Sequence, residues 1–203
     1  MLVEYDSIMA NAQANVDLAL DLIHETLITD VSQLSSPYTE PSEGSIAALI
    51  DGDTSSFWHS NYSDGSVEGG THYLQVDLIN PVDVNIYAMF TRRPCQNDHV
   101  TQMAIMGTND PEAAKAACEE LLVWDTPYGN NTESFTSQAF DAKGYRYLRF
   151  YANTTTNNRG FWHISEFQLG YDLNNPKAQA NNMGEVFTKL QTVIEKYKDL
   201  EHD

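Results

Sequence analysis

Two aspartates flank a glycine in the segment Asp51-Gly52-Asp53, a spacing that suits a hard cation. Calcium takes about six to eight oxygen ligands, and a tight turn of this composition directs carboxylates and nearby backbone carbonyls towards one point. The hydroxyl of Ser56 adds a further side-chain oxygen in the same segment. The tripeptide is also common in ordinary polar turns. The turn alone therefore predicts either a calcium site or a surface turn.

A second set of residues has the chemistry that recognises sugars. An aromatic face covers the apolar side of a pyranose ring, while Arg, Asn and His side chains form hydrogen bonds with its hydroxyl groups. The whole chain has 11 Lys and Arg residues, so three arginines among the predicted loops are informative. The candidate ligand-binding residues in those loops are His59, Tyr62, Arg92, Arg93, Asn97, His99, Asn158, Arg159 and Phe161.

Several of these residues also have a purely structural interpretation. Arg92 or Arg93 would neutralise neighbouring acids in a surface pair, which contributes little to stability. His59 would lie under its loop with its hydrogen bonds satisfied, and the Asn-rich run 153–158 would form only a turn. At the level of the sequence, both interpretations stay open.

The segments that must position these residues alternate apolar and polar side chains, as half-buried strands do. Clusters of Gly, Asn, Asp and Pro separate them, which predicts an antiparallel β-sandwich over residues 35–172. Residues 111–120 are rich in Ala and Glu and predict a short helix on one connection. The predicted strands cover 74–78, 82–90, 103–105, 121–124, 134–140, 146–152 and 161–169.

The two ends of the chain have a different period. Apolar residues recur at spacings of three and four within 1–34 and within 173–203, which predicts an N-terminal and a C-terminal helix. Asn175 and Pro176 provide an N-cap and a first-turn proline for the second helix. Each helix has one apolar stripe, so we expect the two to pack against each other, or against neighbouring domains of a longer chain.

The composition limits the partners. The 29 acidic and 11 basic residues give a formal net charge of −18, which repels nucleic acid and offers few cations to an anionic membrane. We therefore expect a neutral or cationic ligand, no nucleic acid and no membrane insertion. The N-terminal residues predict no signal peptide. Cys95 and Cys118 are too few for a disulfide framework, and we interpret them as free thiols, although one bridge is compatible with the sequence.

Three ordered segments resemble the discoidin family, which includes coagulation-factor C-type domains and family 32 carbohydrate-binding modules. They are LIDGDTSSFWHS from Leu49 to Ser60, YLQVDL from Tyr73 to Leu78, and FWHISEFQL from Phe161 to Leu169. The resemblance implies an eight-stranded antiparallel jelly-roll β-sandwich of the galactose-binding type. The whole chain is thus predicted to be mainly β, with this sandwich flanked by the N- and C-terminal helices.

The resemblance also implies a structural calcium ion. Its ligands would be the side chains of Asp51, Asp53, Ser56 and Glu166 with the backbone carbonyl of Ala48. Ligand contacts in such folds lie on loops at one end of the sandwich, which would gather the candidate residues named above on one surface. The implied function is a non-catalytic module for a neutral, galactose-type glycan, in a bacterial glycan-processing protein that is extracellular, at the cell surface or periplasmic.

Two other functions remain open. A discoidin-type adhesion module for protein or lipid would expose apolar loop tips, with a basic rim in the lipid case. A glycosidase would place two carboxylates about 5–10 Å apart across a cleft. Asp64, Glu68 and Asp98 are loop carboxylates, but their spacing does not distinguish them from solvated acids. We therefore predict that the chain is not an enzyme.

Overall fold

The computed structural model describes residues 27–93, 97–126 and 134–172, together with residues 174, 184, 187, 188, 191 and 192. The chain divides into two compact units, one spanning Thr26–Asp172 and one made of Met1–Glu25 with Leu173–Asp203. The strands of the first unit are β1 (Leu34–Ser35), β2 (Trp58–His59), β3 (Tyr73–Val82), β4 (Asn85–Thr91), β5 (Val100–Thr108), β6 (Glu119–Asp125), β7 (Ser134–Thr136), β8 (Phe140–Asp141), β9 (Tyr145–Thr155), β10 (His163–Ile164) and β11 (Glu166–Tyr171).

These strands form antiparallel sheets. A five-stranded sheet has the order β1-β3-β9-β5-β6, and a four-stranded sheet has β11, β7 and β8 all paired with β4. The short strands β2 and β10 form a separate two-stranded pair. Among the described residues, a short 3-10 helix at Val31–Gln33 precedes β1, and two more lie on connections between strands, at Ile46–Ile50 and Lys115–Ala117. The fold is therefore mainly β and antiparallel.

The alternation of side chains along the strands builds the core. In β3, Leu74 and Val76 are fully buried, whereas their neighbours are more exposed. Phe150 of the five-stranded sheet meets Phe167 of the four-stranded sheet edge to face, with ring centroids 4.8 Å apart. Because successive side chains in a strand point to opposite faces, this contact places the two sheets face to face around one core.

The outer face of the five-stranded sheet is also partly covered. Tyr151 alternates with the core residue Phe150, and its ring lies 5.0 Å from the ring of Tyr73 on the neighbouring strand. Tyr151 is buried in a small cluster with Ala104 and Met106. This outer face therefore carries aromatic rather than purely polar side chains.

Several predicted elements differ from the structure. The described residues contain eleven strands, whereas the resemblance implies eight. Two of the seven strands predicted from the sequence are divided, and the short strands β1 and β2 are additional. The strand predicted over 161–169 breaks at Ser165, where β10 pairs with β2 and β11 pairs with β4. The backbone N–H of Ser165 donates to the carbonyl of Thr91 and its hydroxyl donates to Thr54. The strand predicted over 134–140 is likewise divided into β7 and β8, which pair with different parts of β4.

The helix predicted over 111–120 is shorter than expected. Only Lys115–Ala117 is helical, as a 3-10 turn. The guanidinium of Arg149 donates to the backbone carbonyls of Pro111 and Ala113. Those carbonyls would otherwise accept the first bonds of an α-helix, so a distant arginine holds the segment open.

The predicted terminal helices lie largely outside the described residues. The N-terminal helix is predicted to reach residue 34, but the last part of that range is not α-helical. Residues 31–33 form a 3-10 helix, and Leu34 begins β1. The side chain of Gln33 donates to the carbonyls of Leu27 and Asp77, which ties this segment to β3. Residues 184, 187, 188, 191 and 192 have helical backbone, while most of the predicted C-terminal helix falls outside the described residues and stays a prediction. The mutual packing of the two helices falls outside the described residues.

Two smaller expectations concern membranes and cysteines. Among the described residues no helix has the length and apolar character needed to cross a membrane. Cys118 is a free thiol. Cys95 lies outside the described residues, so its pairing stays a prediction.

Candidate functional site

Loops between the strands surround a cavity of about 220 Å³. Six of the nine predicted ligand-binding residues line it, namely His59, Tyr62, Arg93, Asn97, Arg159 and Phe161. Glu43, Asp98 and His163 complete the lining. We call this cavity the loop pocket. Residues from four separate parts of the chain thus meet in one place.

Aromatic rings form one side of the loop pocket. The ring of Tyr62 lies 5.0 Å from His59 and 6.0 Å from Phe161, at steep angles to both. Phe161 and His59 are each only 4% exposed, whereas Tyr62 is half-buried. Tyr62 therefore offers the most accessible aromatic surface of the three.

Arg159 is held in a fixed orientation beside these rings. Its Nε donates to Oδ1 of Asp98 over 3.1 Å, and its Nη2 donates to Oδ2 of the same carboxylate. The guanidinium carbon also lies 4.7 Å from the centroid of Phe161. Asp98 is buried, whereas the Arg159 side chain is 42% exposed. The arrangement fixes one edge of the guanidinium and leaves the remaining donors accessible.

Arg93 supplies a second guanidinium. Its carbon lies 3.5 Å from the centroid of Phe57, and its Nη1 lies 3.9 Å from Oε1 of Glu43. The side chain is 27% exposed, so it is more enclosed than Arg159. The pocket therefore combines two oriented cations with an aromatic wall, which provides planar hydrogen-bond donors next to apolar surface.

A buried histidine holds one residue of the loop pocket in position. His163 stands opposite His59 in the β2–β10 pair, with ring centroids 5.1 Å apart. Burial, followed by the proximity of His59, lowers the pKa of His163 to about 3. The ring is therefore neutral near pH 7, and its Nε2 lies 2.6 Å from the carbonyl oxygen of Asn97. The neutral imidazole donates this bond and positions the pocket residue Asn97.

A buried carboxylate that the sequence did not single out positions the Tyr62 loop. Glu40 is 1% exposed and accepts hydrogen bonds from the backbone N–H groups of Tyr62 and Ser63. The hydroxyls of Ser42 and Ser63 donate to it as well. Burial raises the pKa of Glu40, but these hydrogen bonds outweigh that effect and bring it down to about 2. The charged carboxylate thus fixes the loop that carries the aromatic wall.

Three predicted ligand residues lie outside the loop pocket. Arg92 is 1% exposed, with its guanidinium 4.4 Å from the ring of Phe135, and it packs inside the protein. His99 is equally buried and lies against His163. Asn158 is exposed in a turn with a φ of 53° and does not line the pocket. Adjacent loop residues differ in whether their side chains point towards the pocket, and the sequence does not show which direction each side chain takes.

The predicted calcium ligands partly converge. The hydroxyl of Ser56 donates to Oδ2 of Asp51 over 2.7 Å and to the carbonyl of Asp53 over 3.0 Å. Ala48 lies buried in the 3-10 helix Ile46–Ile50, one turn before them. Burial, followed by the charge of Asp51 and a hydrogen bond with it, raises the pKa of Glu166 to about 7. Asp51 and Glu166 are therefore neighbours, as expected.

Whether a cation fits between the predicted calcium ligands depends on Glu166. Its Oε1 is buried and has no hydrogen-bond partner among the described residues. A divalent ion would satisfy this oxygen and offset the repulsion from Asp51. No group of three or more His, Cys, Asp or Glu side chains in the described parts of the chain is arranged to hold a metal. The donors fit calcium only if backbone and hydroxyl oxygens contribute too.

Comparisons with known proteins define the class. The family model of the F5/8 type C domain matches residues 28–167. This chain therefore belongs to the F5/8 type C, or discoidin, domain family. A sialidase of Micromonospora viridifaciens is 22% identical over 163 residues, which covers 78% of this chain. The chain spans only 24% of that sialidase.

Solved structures agree with this fold. CBM32-3 from a family 31 glycoside hydrolase of Clostridium perfringens is 21% identical and superposes with a TM-score of 0.54, covering 71% of this chain and 94% of that one. CpGH89CBM32-5 of the same organism, in complex with GalNAc-β-1,3-galactose, is 16% identical with a TM-score of 0.53, covering 68% and 93%. The family 32 module of C. perfringens NanJ, in complex with galactose, is 17% identical with a TM-score of 0.51, covering 68% and 94%.

Proposed function

We propose that this chain is a non-catalytic carbohydrate-binding domain and that the loop pocket is its ligand site. The observation that supports the proposal most strongly is the joining of Arg159, Asp98 and Phe161, which presents an oriented guanidinium beside aromatic surface. Sugars require this combination, because each pyranose has an apolar face and a rim of hydroxyl groups. Tyr62 and Asn97 add a ring face and an amide at the same pocket.

A neutral, galactose-type sugar fits the pocket best. Two structural relatives are complexes with galactose and with GalNAc-β-1,3-galactose. The cavity of about 220 Å³ is smaller than the range of about 300–1,000 Å³ usual for small-molecule sites. It therefore suits a single terminal sugar residue rather than the interior of a polysaccharide.

Binding without cleavage is part of the proposal. The two carboxylates that line the loop pocket, Glu43 and Asp98, each lie beside an arginine. Such pairing suits positioning, whereas a general acid needs a carboxyl group that holds its proton near neutral pH. A discoidin-type lipid-binding role has less support, because the exposed large apolar residues of the described chain, Val31, Ile79, Val123 and Phe187, do not line the pocket.

A structural calcium ion is the second component of the proposal. Asp51 and Glu166 would provide carboxylate oxygens, with further oxygens from Asp53, Ser56 and the carbonyl of Ala48. The raised pKa of Glu166 supports this, because burial and the neighbouring charge of Asp51 both disfavour its carboxylate, and a cation would offset these effects. The ion would join the start of β11 to the Asp51 turn and would have no role in chemistry.

The biological context is inferred from relatives. A sialidase and a glycoside hydrolase module are similar to this chain, which favours a place in a larger, secreted or surface-exposed bacterial protein that acts on glycans. The domain would then hold its neighbours close to a glycan substrate, through the gain in effective concentration that tethering provides.

Calorimetric titration tests the proposed ligand site. Galactose and GalNAc-β-1,3-galactose are titrated into the wild-type chain and into Arg159→Ala. Arg146→Ala is a closely matched control, because Arg146 also makes two hydrogen bonds to one aspartate, Asp77, and its side chain is also 42% exposed. We expect binding that falls at least tenfold in Arg159→Ala and stays within twofold in Arg146→Ala. Equal affinities in all three proteins would contradict the proposed site.

A further inference from the structure

A second cavity, of about 460 Å³, lies on the outer face of the five-stranded sheet. It shares no residue with the loop pocket and falls within the usual range of about 300–1,000 Å³ for small-molecule sites. We call it the outer-face cavity. Its most informative lining residues are Tyr38, Glu68, Tyr73, Lys115, Arg149 and Tyr151.

Arg149 is a buried cation at this cavity. It is 1% exposed, and its guanidinium donates to the side-chain oxygen of Gln75 over 2.7 Å and to the carbonyls of Pro111 and Ala113. The guanidinium carbon lies 4.5 Å from the ring centroid of Tyr73. All of these partners are neutral. Buried charges are normally paired, yet this guanidinium forms no ion pair with a carboxylate of the described chain.

Lys115 adds a second cation at the cavity. Its Nζ donates to the carbonyl of Gly70 over 2.7 Å and lies 4.3 Å from the ring centroid of Tyr151. Gly70 has a φ of +77°, and a Cβ there would lie 2.8 Å from Nζ, so glycine allows this close approach. An ammonium group has three donors, which leaves two for a ligand.

Four other cations of the sandwich differ in this respect. Four basic side chains form ion pairs with carboxylates, in the pairs Arg93–Glu43, Lys143–Glu119, Arg146–Asp77 and Arg159–Asp98. Lys115 and Arg149 have no such partner among the described residues. In a chain with 29 acidic residues, two neighbouring cations that form no ion pair are an unusual concentration of positive charge, with Glu68 and Glu120 acting on Lys115 only at longer range.

We propose that the outer-face cavity is a second ligand site, which binds a sugar residue that bears a carboxylate. The carboxylate would accept hydrogen bonds from the free donors of Lys115 in the positive field of Arg149. Tyr38 and Tyr73 would pack against the ring, as tyrosines do against pyranoses. The net charge of −18 repels an anionic ligand at long range, but 0.1 M salt screens this repulsion beyond about 10 Å. The two cations attract the carboxylate at contact, where screening is weak.

Glu68 places a negative charge on one side of the outer-face cavity. Its exposed carboxylate lines the same cavity and makes no ion pair with Lys115. A carboxylated ligand would be repelled from the Glu68 side and drawn towards Lys115. Removal of the Glu68 charge should therefore tighten binding, while removal of the Lys115 charge should weaken it.

The experiment compares two sugars that differ in one group. Galacturonate has a carboxylate where galactose has a hydroxymethyl group, and both are titrated into the ¹⁵N-labelled full chain while amide shifts are followed. We expect galacturonate to shift the amides of Gly70, Thr71 and Lys115, with at least fivefold weaker binding in Lys115→Gln and tighter binding in Glu68→Gln. Galactose should not shift these amides.

Controls separate this site from the loop pocket. Lys143→Gln removes a lysine charge outside the cavity and should leave galacturonate binding unchanged, and so should Arg159→Ala. The inference is overturned if galacturonate and galactose bind the cavity equally, if Lys115→Gln has no effect, or if Arg159→Ala abolishes galacturonate binding. Because galactose at the loop pocket is measured in the same spectra, failure of either site is visible separately.

Discussion

Asp98 and Arg159 lie 61 residues apart in the chain, and their side chains are joined by two hydrogen bonds at the loop pocket. The pair connects the loop before β5 with the loop after β9. It also holds the guanidinium over the ring of Phe161, at 4.7 Å from its centroid. Because Asp98 is buried, the arginine is oriented before any ligand arrives, which reduces the entropy lost on binding.

Asp98→Asn tests this orientation. An amide has one acceptor oxygen, so the two parallel bonds to Arg159 become one and the pairing of charges is lost. We expect galactose affinity to fall at least fivefold, or about 1 kcal/mol of binding free energy. Calorimetric titration measures the change, with Asp77→Asn as the equivalent substitution in the Arg146 pair. Retention of full affinity in Asp98→Asn would show that the pair has no part in binding.

Tyr62 is predicted to provide the aromatic surface against which the sugar packs. Tyr62→Ala should weaken galactose binding at least tenfold, whereas Tyr62→Phe should keep it within threefold because the ring remains. Tyr147→Ala removes a half-buried tyrosine outside the pocket and serves as the control. Calorimetric titration of the three variants with galactose measures these affinities. If Phe and Ala have equal effects at position 62, the hydroxyl rather than the ring carries the contact.

Glu40 is predicted to act on ligand binding through the Tyr62 loop. Glu40→Gln removes the charge that accepts bonds from Tyr62 and Ser63, so both the melting temperature and galactose affinity should fall. The pKa of Glu40 is lowered to about 2, so the stability that it contributes is present above pH 4.5 and is lost as the pH falls from 4.5 through 2. Thermal melts over that range should show a smaller acid loss in the variant. An unchanged pH profile would exclude this role.

The metal-free protein should respond to pH through Glu166. Its pKa is raised from 4.5 to about 7, so the folded state binds a proton that the unfolded state has lost between these values. The free energy of unfolding is therefore expected to decrease as the pH rises from 4.5 to 7, because deprotonation leaves an unfavourable charge beside Asp51.

Calcium should reverse this effect. At pH 8 the ion is expected to raise the melting temperature, since it binds the folded state alone. Glu166→Gln should both lose the calcium response and melt higher than the wild type in chelator at pH 8, because the repulsion from Asp51 is removed. Asp77→Asn serves as a control that keeps the calcium response. A wild-type melting temperature that does not differ between calcium and chelator would contradict the proposed ion.

The sequence predicted the fold well where periodicity is strong. Alternation in β3 and β4 located these strands, because each buries one face. It missed the break at Ser165, since a change of pairing partner leaves apolar residues on both sides and alters no local pattern. It also predicted too long a helix after Pro111, because the guanidinium that captures those carbonyls belongs to a residue far along the chain.

The sequence predicted the residue types of the loop pocket better than the directions of their side chains. Six predicted ligand residues line the loop pocket, although the same residue types also have purely structural roles in loops. Arg92 and Arg93 are adjacent, yet one is buried and the other lines the pocket, and only the loop backbone decides between them. Glu40 and His163 were missed because their roles depend on hydrogen bonds to distant backbone groups.

The loop pocket is tested most directly by a titration of the ¹⁵N-labelled chain with galactose, monitored by amide chemical shifts. We expect saturable shifts at Tyr62, Asn97, Arg159 and Phe161 that disappear in Arg159→Ala and persist in Arg146→Ala. Shifts confined to other parts of the sandwich, or shifts that survive unchanged in Arg159→Ala, would contradict the assignment of the loop pocket as the sugar site.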